Sequence, residues 1–227
     1  MKKVAIFDID GTIFRSSLLI ELTEALIDEE IFPEKVRKTY EAKYARWLDR
    51  KGSYEQYISA LVESFEKHLK GILYADFCRV AEIVVDCNKS RIYCYTRDLI
   101  EELKKKKYFL LAISNSPKII LEDFCRELGF DKIYGRMYET GAHEKFTGKV
   151  LDEHLISNKA NIMRRAVRKE GLTLNGSIGV GDTESDIPFL ELVERPICFN
   201  PNRKLYRFAK LNKWEVVIER KDVIYEL

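Results

Sequence analysis

Lys3-Val4-Ala5-Ile6-Phe7-Asp8-Ile9-Asp10-Gly11-Thr12 is an apolar run that stops at two carboxylates spaced two apart and followed by Gly-Thr. Consecutive apolar residues with β-branched members fit the central strand of a parallel sheet, which is covered on both faces and need not alternate. Gly11 permits the turn that follows. Side chains two apart on an extended chain point the same way, so Asp8 and Asp10 can face one space just past the strand's end. Two like charges held so close resist simultaneous ionisation, and the pair implies a bound cation, a proton on one member, or both. The plainer reading is a solvated turn, since Asp and Gly are ordinary turn residues. The downstream sequence decides between them.

A chain of 227 residues can bury a large core, as one domain with an insertion or as two small domains. Charged residues at 33% and hydrophobic ones at 46% are ordinary globular composition. With 39 basic against 37 acidic residues the net charge is +2, which gives no long-range field to attract nucleic acid or an anionic membrane. The Lys104-Lys105-Lys106-Lys107 run reads as a helix end, where cations meet the negative end of the dipole and water. Cys78, Cys87, Cys94, Cys125 and Cys198 are odd in number and lack any Cys-x-x-Cys pairing, which argues for reduced thiols in a cytoplasmic setting. His68, His143 and His154 show no metal spacing. No stretch approaches a membrane span, and no signal peptide precedes the first strand.

From Ser16 to about Ser90 the pattern is helical. Ser16 or Ser17 can cap a first helix through Glu29. Pro33 suits the first turn of a second helix reaching Leu48, whose Tyr40, Tyr44 and Trp47 form a stripe fit for packing between helices or for stacking on a substrate. Ser53-Tyr54-Glu55-Gln56 has the form of a capping box opening a third helix through Lys70, and a fourth spans Tyr74 to Asn88. Beyond Arg91 helices and strands alternate, as in a parallel α/β sheet. A helix over Thr96-Lys107 leads to a strand over Tyr108-Ile113 that ends at Ser114-Asn115-Ser116-Pro117, with Pro117 opening a helix to Leu128. Phe130-Tyr134 is a short strand, and Arg136-Leu151 an irregular hairpin. Then come a helix over Asn158-Lys169, a strand over Ser177-Gly181, a helix over Glu184-Glu191, a strand over Pro196-Phe199, a helix over Arg203-Asn212 and a last strand over Glu215-Ile218.

Strands thus end at Asp8/Asp10, at Ser114/Asn115 and at Asp182/Asp186. In an open parallel sheet, ligands collect outside the carboxyl ends of the strands, so one site can hold all three clusters. Helix N-termini after Ser116 and near Thr183 would add amide donors suited to phosphate.

These segments resemble the haloacid dehalogenase-like (HAD) phosphohydrolases. Asp8-Ile9-Asp10-Gly11-Thr12 stands as the first motif, Ile113-Ser114-Asn115 as the second, Lys159 as the third and Gly181-Asp182-Thr183-Glu184-Ser185-Asp186 as the fourth. The resemblance implies a Rossmann-like open parallel sheet with helices on both faces, the α/β core over 1–14 and 91–227, and an inserted α-helical bundle over 15–90 acting as a cap. It implies that Asp8 attacks phosphorus to give an aspartyl-phosphate, and that Asp10 protonates the leaving oxygen and then activates water. Ser114 with the Asn115 amide would bind the phosphoryl oxygens, and Lys159 would neutralise charge on Asp8 and the phosphate. Mg²⁺ would be held by Asp8, the Asp10 carbonyl and Asp182, with Asp186 in support. The substrate class implied is a small-molecule phosphate ester.

A cap directly after the first motif, with the Gly-Phe-x-x-Ile-Tyr-Gly and Phe-Thr-Gly-Lys-Val segments, is similar to the phosphoserine phosphatase-like subgroup. That subgroup carries a glutamate for the substrate amine where this chain has Ser17, and a cap arginine where Ser53-Phe65 has no Lys or Arg. Both departures argue against strict phosphoserine specificity. Arg15, Ser16 and Ser17 favour an anionic or polyol-like leaving group instead. Phosphotransfer to a second alcohol, or phosphate binding without turnover, are the other readings the fold permits. A dehalogenase would not need Asp10. Oligomeric state is not legible.

Overall fold

The computed structural model describes residues 1–151 and 158–227. In chain order the elements are β1 (Lys3–Phe7), α1 (Leu18–Asp28), α2 (Arg37–Leu48), α3 (Tyr54–Leu69), α4 (Tyr74–Asn88), α5 (Cys94–Lys105), β2 (Phe109–Pro117), α6 (Lys118–Leu128), β3 (Lys132–Thr140) and β4 (Phe146–Leu151). There follow α7 (Lys159–Lys169), β5 (Thr173–Gly181), α8 (Ile187–Leu190), β6 (Arg195–Phe199), α9 (Arg203–Asn212), β7 (Glu215–Arg220) and β8 (Val223–Glu226). His154 lies outside the described residues. Contacts divide the chain into two compact units, one of residues 1–17, 89–136 and 152–227, the other of 18–88 and 137–151.

The first unit is the α/β core, with strand order β3-β2-β1-β5-β6-β7-β8. β1 lies between β2 and β5 and is parallel to both. Its alternate residues serve opposite faces. Val4 and Ile6 join Ile162, Met163 and Ala166 of α7, Phe189 and Leu190 of α8, and Leu205 and Ala209 of α9 in one buried cluster. On the other face Tyr95 of α5 stacks on Phe199 with ring centroids 5.6 Å apart. Phe7 packs edge-on to Phe130. Burial on both faces explains why the β1 sequence does not alternate.

Three local expectations are corrected. Pro117 is not the first residue of α6, which starts at Lys118: it is the N-cap of that helix and the last residue of β2, with extended backbone (φ −55°, ψ 132°), and it pairs with Arg136 after a break in the β2–β3 register. The expected Glu184-Glu191 helix is a 3-10 turn over Glu184–Asp186 followed by a single helical turn, because the Asp186 carboxylate takes the amides of Asp182 and Thr183 and tightens the chain. Glu215-Ile218 is not the last strand, since β8 pairs antiparallel with β7.

In the second unit α1–α4 pack with the antiparallel pair formed by the end of β3 and β4. Phe65 of α3 meets Tyr138, and Phe77 of α4 meets Phe146, at ring distances of 5.8 and 5.1 Å. Ser53 and Gln56 form the expected capping box. The aromatic stripe of α2 packs on α3: Trp47 stacks on Tyr57, which is buried. No disulfide links any of the five cysteines, all of which lie among the described residues. Among the described residues, no helix is long and apolar enough to cross a membrane.

Candidate active site

The site is built where β2, β1 and β5 end side by side. Asp8 follows β1 directly, and its amide donates to the Val180 carbonyl of β5 at 3.0 Å. Asp182 follows β5 in the same way, and Ser114 and Ser116 sit near the end of β2. Gly11 lets the chain turn back at φ +79°, and a Cβ there would lie 2.3 Å from Asp182 Oδ2. Glycine is therefore required by both conformation and space.

Lys159, the first residue of α7, binds the cluster together. Asn158 caps that helix through the Asn161 amide and so fixes the lysine at its start. The Lys159 ammonium donates to Asp8 Oδ1 and to Asp186 Oδ1, each at 2.6 Å. All three side chains are buried. Asp186 Oδ2 accepts the Asp182 and Thr183 amides at 3.0 Å. Thr12, also buried, donates to Asp182 Oδ1 at 3.3 Å. One carboxylate oxygen each from Asp8, Asp182 and Asp186 lie within 4.8 Å of one another.

The charge is unbalanced. Burial, then repulsion from Asp186 and Asp10, raises the Asp8 carboxyl from 3.8 to about 7 even with Lys159 beside it. Burial together with Asp8 and Asp186 also pushes Asp182 well above the usual carboxylate range. Burial works against the Lys159 ammonium, but Asp186 and Asp8 outweigh it and hold its pKa above the ordinary value. A crowd of hard oxygen donors around a single ammonium is the donor set and charge that a small divalent cation would relieve.

Asp10 has different surroundings. Its Oδ2 accepts hydrogen bonds from Ser114 Oγ at 2.6 Å and from Ser116 Oγ at 2.8 Å. The Ser116 amide in turn donates to Ser114 Oγ at 2.9 Å. Of the residues singled out in the sequence, Asp8, Asp10, Ser114, Lys159, Asp182 and Asp186 converge in these contacts, whereas Asn115 is exposed. Sequence reasoning missed Ser116. Its signal was the two-residue spacing from Ser114, which puts both hydroxyls on one side of the strand. Near the first motif Arg15 is exposed with its guanidinium 5.7 Å from the Tyr93 ring centre, while Ser17 is buried.

The family profile described as haloacid dehalogenase-like hydrolase matches residues 5–191. The histidinol-phosphatase of Neisseria meningitidis serogroup C (strain 8013) is 25% identical over 228 residues, covering 96% of this chain and 99% of its own. The phosphoserine phosphatase of Methanocaldococcus jannaschii is 26% identical over 230 residues, covering 98% and 94%. A solved structure described as a phospho-aspartyl intermediate analogue of phosphoserine phosphatase shares the fold, with a TM-score of 0.63 at 24% identity over 97% of this chain and 95% of that one. The profile match begins inside β1 and runs past the Asp182–Asp186 turn, and so takes in every element that supplies the site: the chain belongs to the haloacid dehalogenase-like hydrolases.

Proposed function

We propose that this chain is a phosphatase that hydrolyses a small phosphomonoester through an aspartyl-phosphate on Asp8. The observation that carries the reading is the buried ammonium of Lys159 between Asp8 and Asp186, at the strand ends that also present Asp10. The names of the two relatives support phosphate ester hydrolysis. An Asp8 oxygen would bond to phosphorus as the ester P–O bond breaks, and Asp10 would pass its proton to the leaving oxygen. Asp10 would then take a proton from the water that attacks the aspartyl-phosphate. Ser114 and the Asn115 main-chain amide would hold the phosphoryl oxygens, and Lys159 would offset their charge.

The donor set fits Mg²⁺, which Asp8, the Asp10 carbonyl and Asp182 would hold with Asp186 in support. Bound there, the ion would supply charge neutralisation that lets a carboxylate approach an anionic ester. The helical segment 15–90 would act as the cap that selects the leaving group. Five cysteines without a disulfide support a cytoplasmic setting.

The test is phosphate release from a panel of phosphomonoesters that includes phosphoserine and histidinol phosphate, with and without Mg²⁺ and beside Asp8→Asn. Metal-dependent release that Asp8→Asn abolishes is the expected result. Preference for anionic or polyol esters over phosphoserine would bear out the reading of Arg15 and Ser17. An added acceptor alcohol separates transfer from hydrolysis, and a folded protein that releases no phosphate from any ester overturns the proposal.

A further inference from the structure

We propose that Ser116 is a positioning residue for Asp10, the permanent tether of the general acid, while Ser114 is the hydroxyl that turns to the substrate. The inference rests on the reading of Asp10 given above.

Both hydroxyls reach one oxygen, Asp10 Oδ2, and both serines are buried. A serine hydroxyl carries a single proton, so it donates to one acceptor at a time. Ser114 cannot hold a phosphoryl oxygen and Asp10 with the same proton. Its place on the strand favours the phosphoryl: the last β1–β2 pair is Phe7 with Ala112, and Ser114 lies only two residues beyond it, nearer the level of Asp8 than Ser116 does. The Ser116 amide on Ser114 Oγ fixes that oxygen but leaves its proton able to swing from Asp10 to the substrate. When it swings, Asp10 Oδ2 loses one donor and keeps the other. Ser116 would then hold the Asp10 carboxyl in place as the proton leaves for the alkoxide oxygen, the ester P–O bond breaks and the Asp8–P bond forms.

Leaving groups distinguish this role from a general loss of structure. p-Nitrophenolate departs without needing a proton, whereas an alkoxide needs one. kcat/KM reports the step in which phosphorus passes to Asp8, so it should be measured for p-nitrophenyl phosphate and for the best alkyl phosphate of the panel. In Ser116→Ala the alkyl ester should lose about tenfold or more relative to the aryl ester, as expected when a general acid is misplaced. Inhibition by inorganic phosphate should stay within about twofold of the wild type, since Ser116 would bind no phosphoryl oxygen. Ser114→Ala should weaken phosphate inhibition and lower both substrates alike, and Ser116→Thr should restore much of the alkyl activity. The aryl-to-alkyl ratio is internal to each protein, so partial unfolding, which scales both rates together, cannot produce the effect. Equal losses on both esters, or weakened phosphate inhibition in Ser116→Ala, would overturn the inference while leaving hydrolysis through Asp8 standing. A wild type that hydrolyses neither ester removes both.

Discussion

Lys159 is the residue on which the cluster's charge turns. Removing it by Lys159→Met leaves Asp8 and Asp186 buried without their shared donor, and breaking a buried pair from one side costs about 3–5 kcal/mol. The metal-free variant should therefore unfold at lower denaturant than the wild type, and Mg²⁺ should recover part of the loss. An unchanged midpoint would mean that the two ion pairs of Lys159 add nothing to stability. Gly11→Ala should be costly for a different reason, because its φ is +79° and the new methyl would meet the Asp182 carboxylate. The spacing rule that paired Asp8 with Asp10 in the sequence agrees with their closeness, which lets the Asp10 charge act on the Asp8 carboxyl. The same rule pairs Ser114 with Ser116, but nothing local says that their common partner is Asp10, 104 and 106 residues away. Partners across such distances are set by which strands lie side by side, and spacing along one strand does not contain that information.

Helix ends and helix faces were legible because their determinants are local. Ser53 and Gln56 bond to each other's backbone as a capping box, so Ser53→Ala should lower the stability of the helical unit by about 1 kcal/mol. A shift in the denaturant midpoint with unchanged slope would show it. Tyr57 is a different case, packed against Tyr40, Tyr44, Trp47 and Tyr54. Tyr57→Ala should cost about 3 kcal/mol or more, in the range of large-to-small core substitutions, and a loss below about 1 kcal/mol would show that the α2–α3 contact relaxes around the gap. Strand ends were less legible. Val223-Ile224-Tyr225-Glu226 is four exposed residues with no alternation, and only its pairing with β7 makes it a strand. Pro117 reads as a helix opener but stays extended because β3 supplies a partner at Arg136. The end of β3 and β4 group with the helices through Tyr138 and Phe146, whose contacts with Phe65 and Phe77 no periodicity announces.

For the molecule as a whole, a net charge of +2 conceals a local excess of negative charge around Asp8, Asp182 and Asp186, and with the proposed Mg²⁺ site that excess should tie stability to pH and to the ion. Asp8 in the folded, metal-free protein keeps its proton to about pH 7, whereas the unfolded chain releases it near the ordinary 3.8. Between these values the folded state binds more protons than the unfolded one, so stability falls as pH rises, by at most about 1.4 kcal/mol per pH unit for this one group. Asp182, raised in the same direction, adds to the slope. Lys159 does not oppose it: its pKa is raised above the ordinary 10.5, so its contribution is fully present below that value and is lost only as pH climbs through the folded one. A divalent cation on the carboxylates displaces the protons and should remove most of the fall. The thermal midpoint of metal-free protein should therefore decline from about pH 5 to pH 8, and the rise produced by Mg²⁺ should be larger at pH 8 than at pH 5. Asp8→Asn has no proton to release and should flatten the metal-free slope. A Mg²⁺ shift that is the same at both pH values would mean that the carboxylates do not carry the charge imbalance that favours the ion.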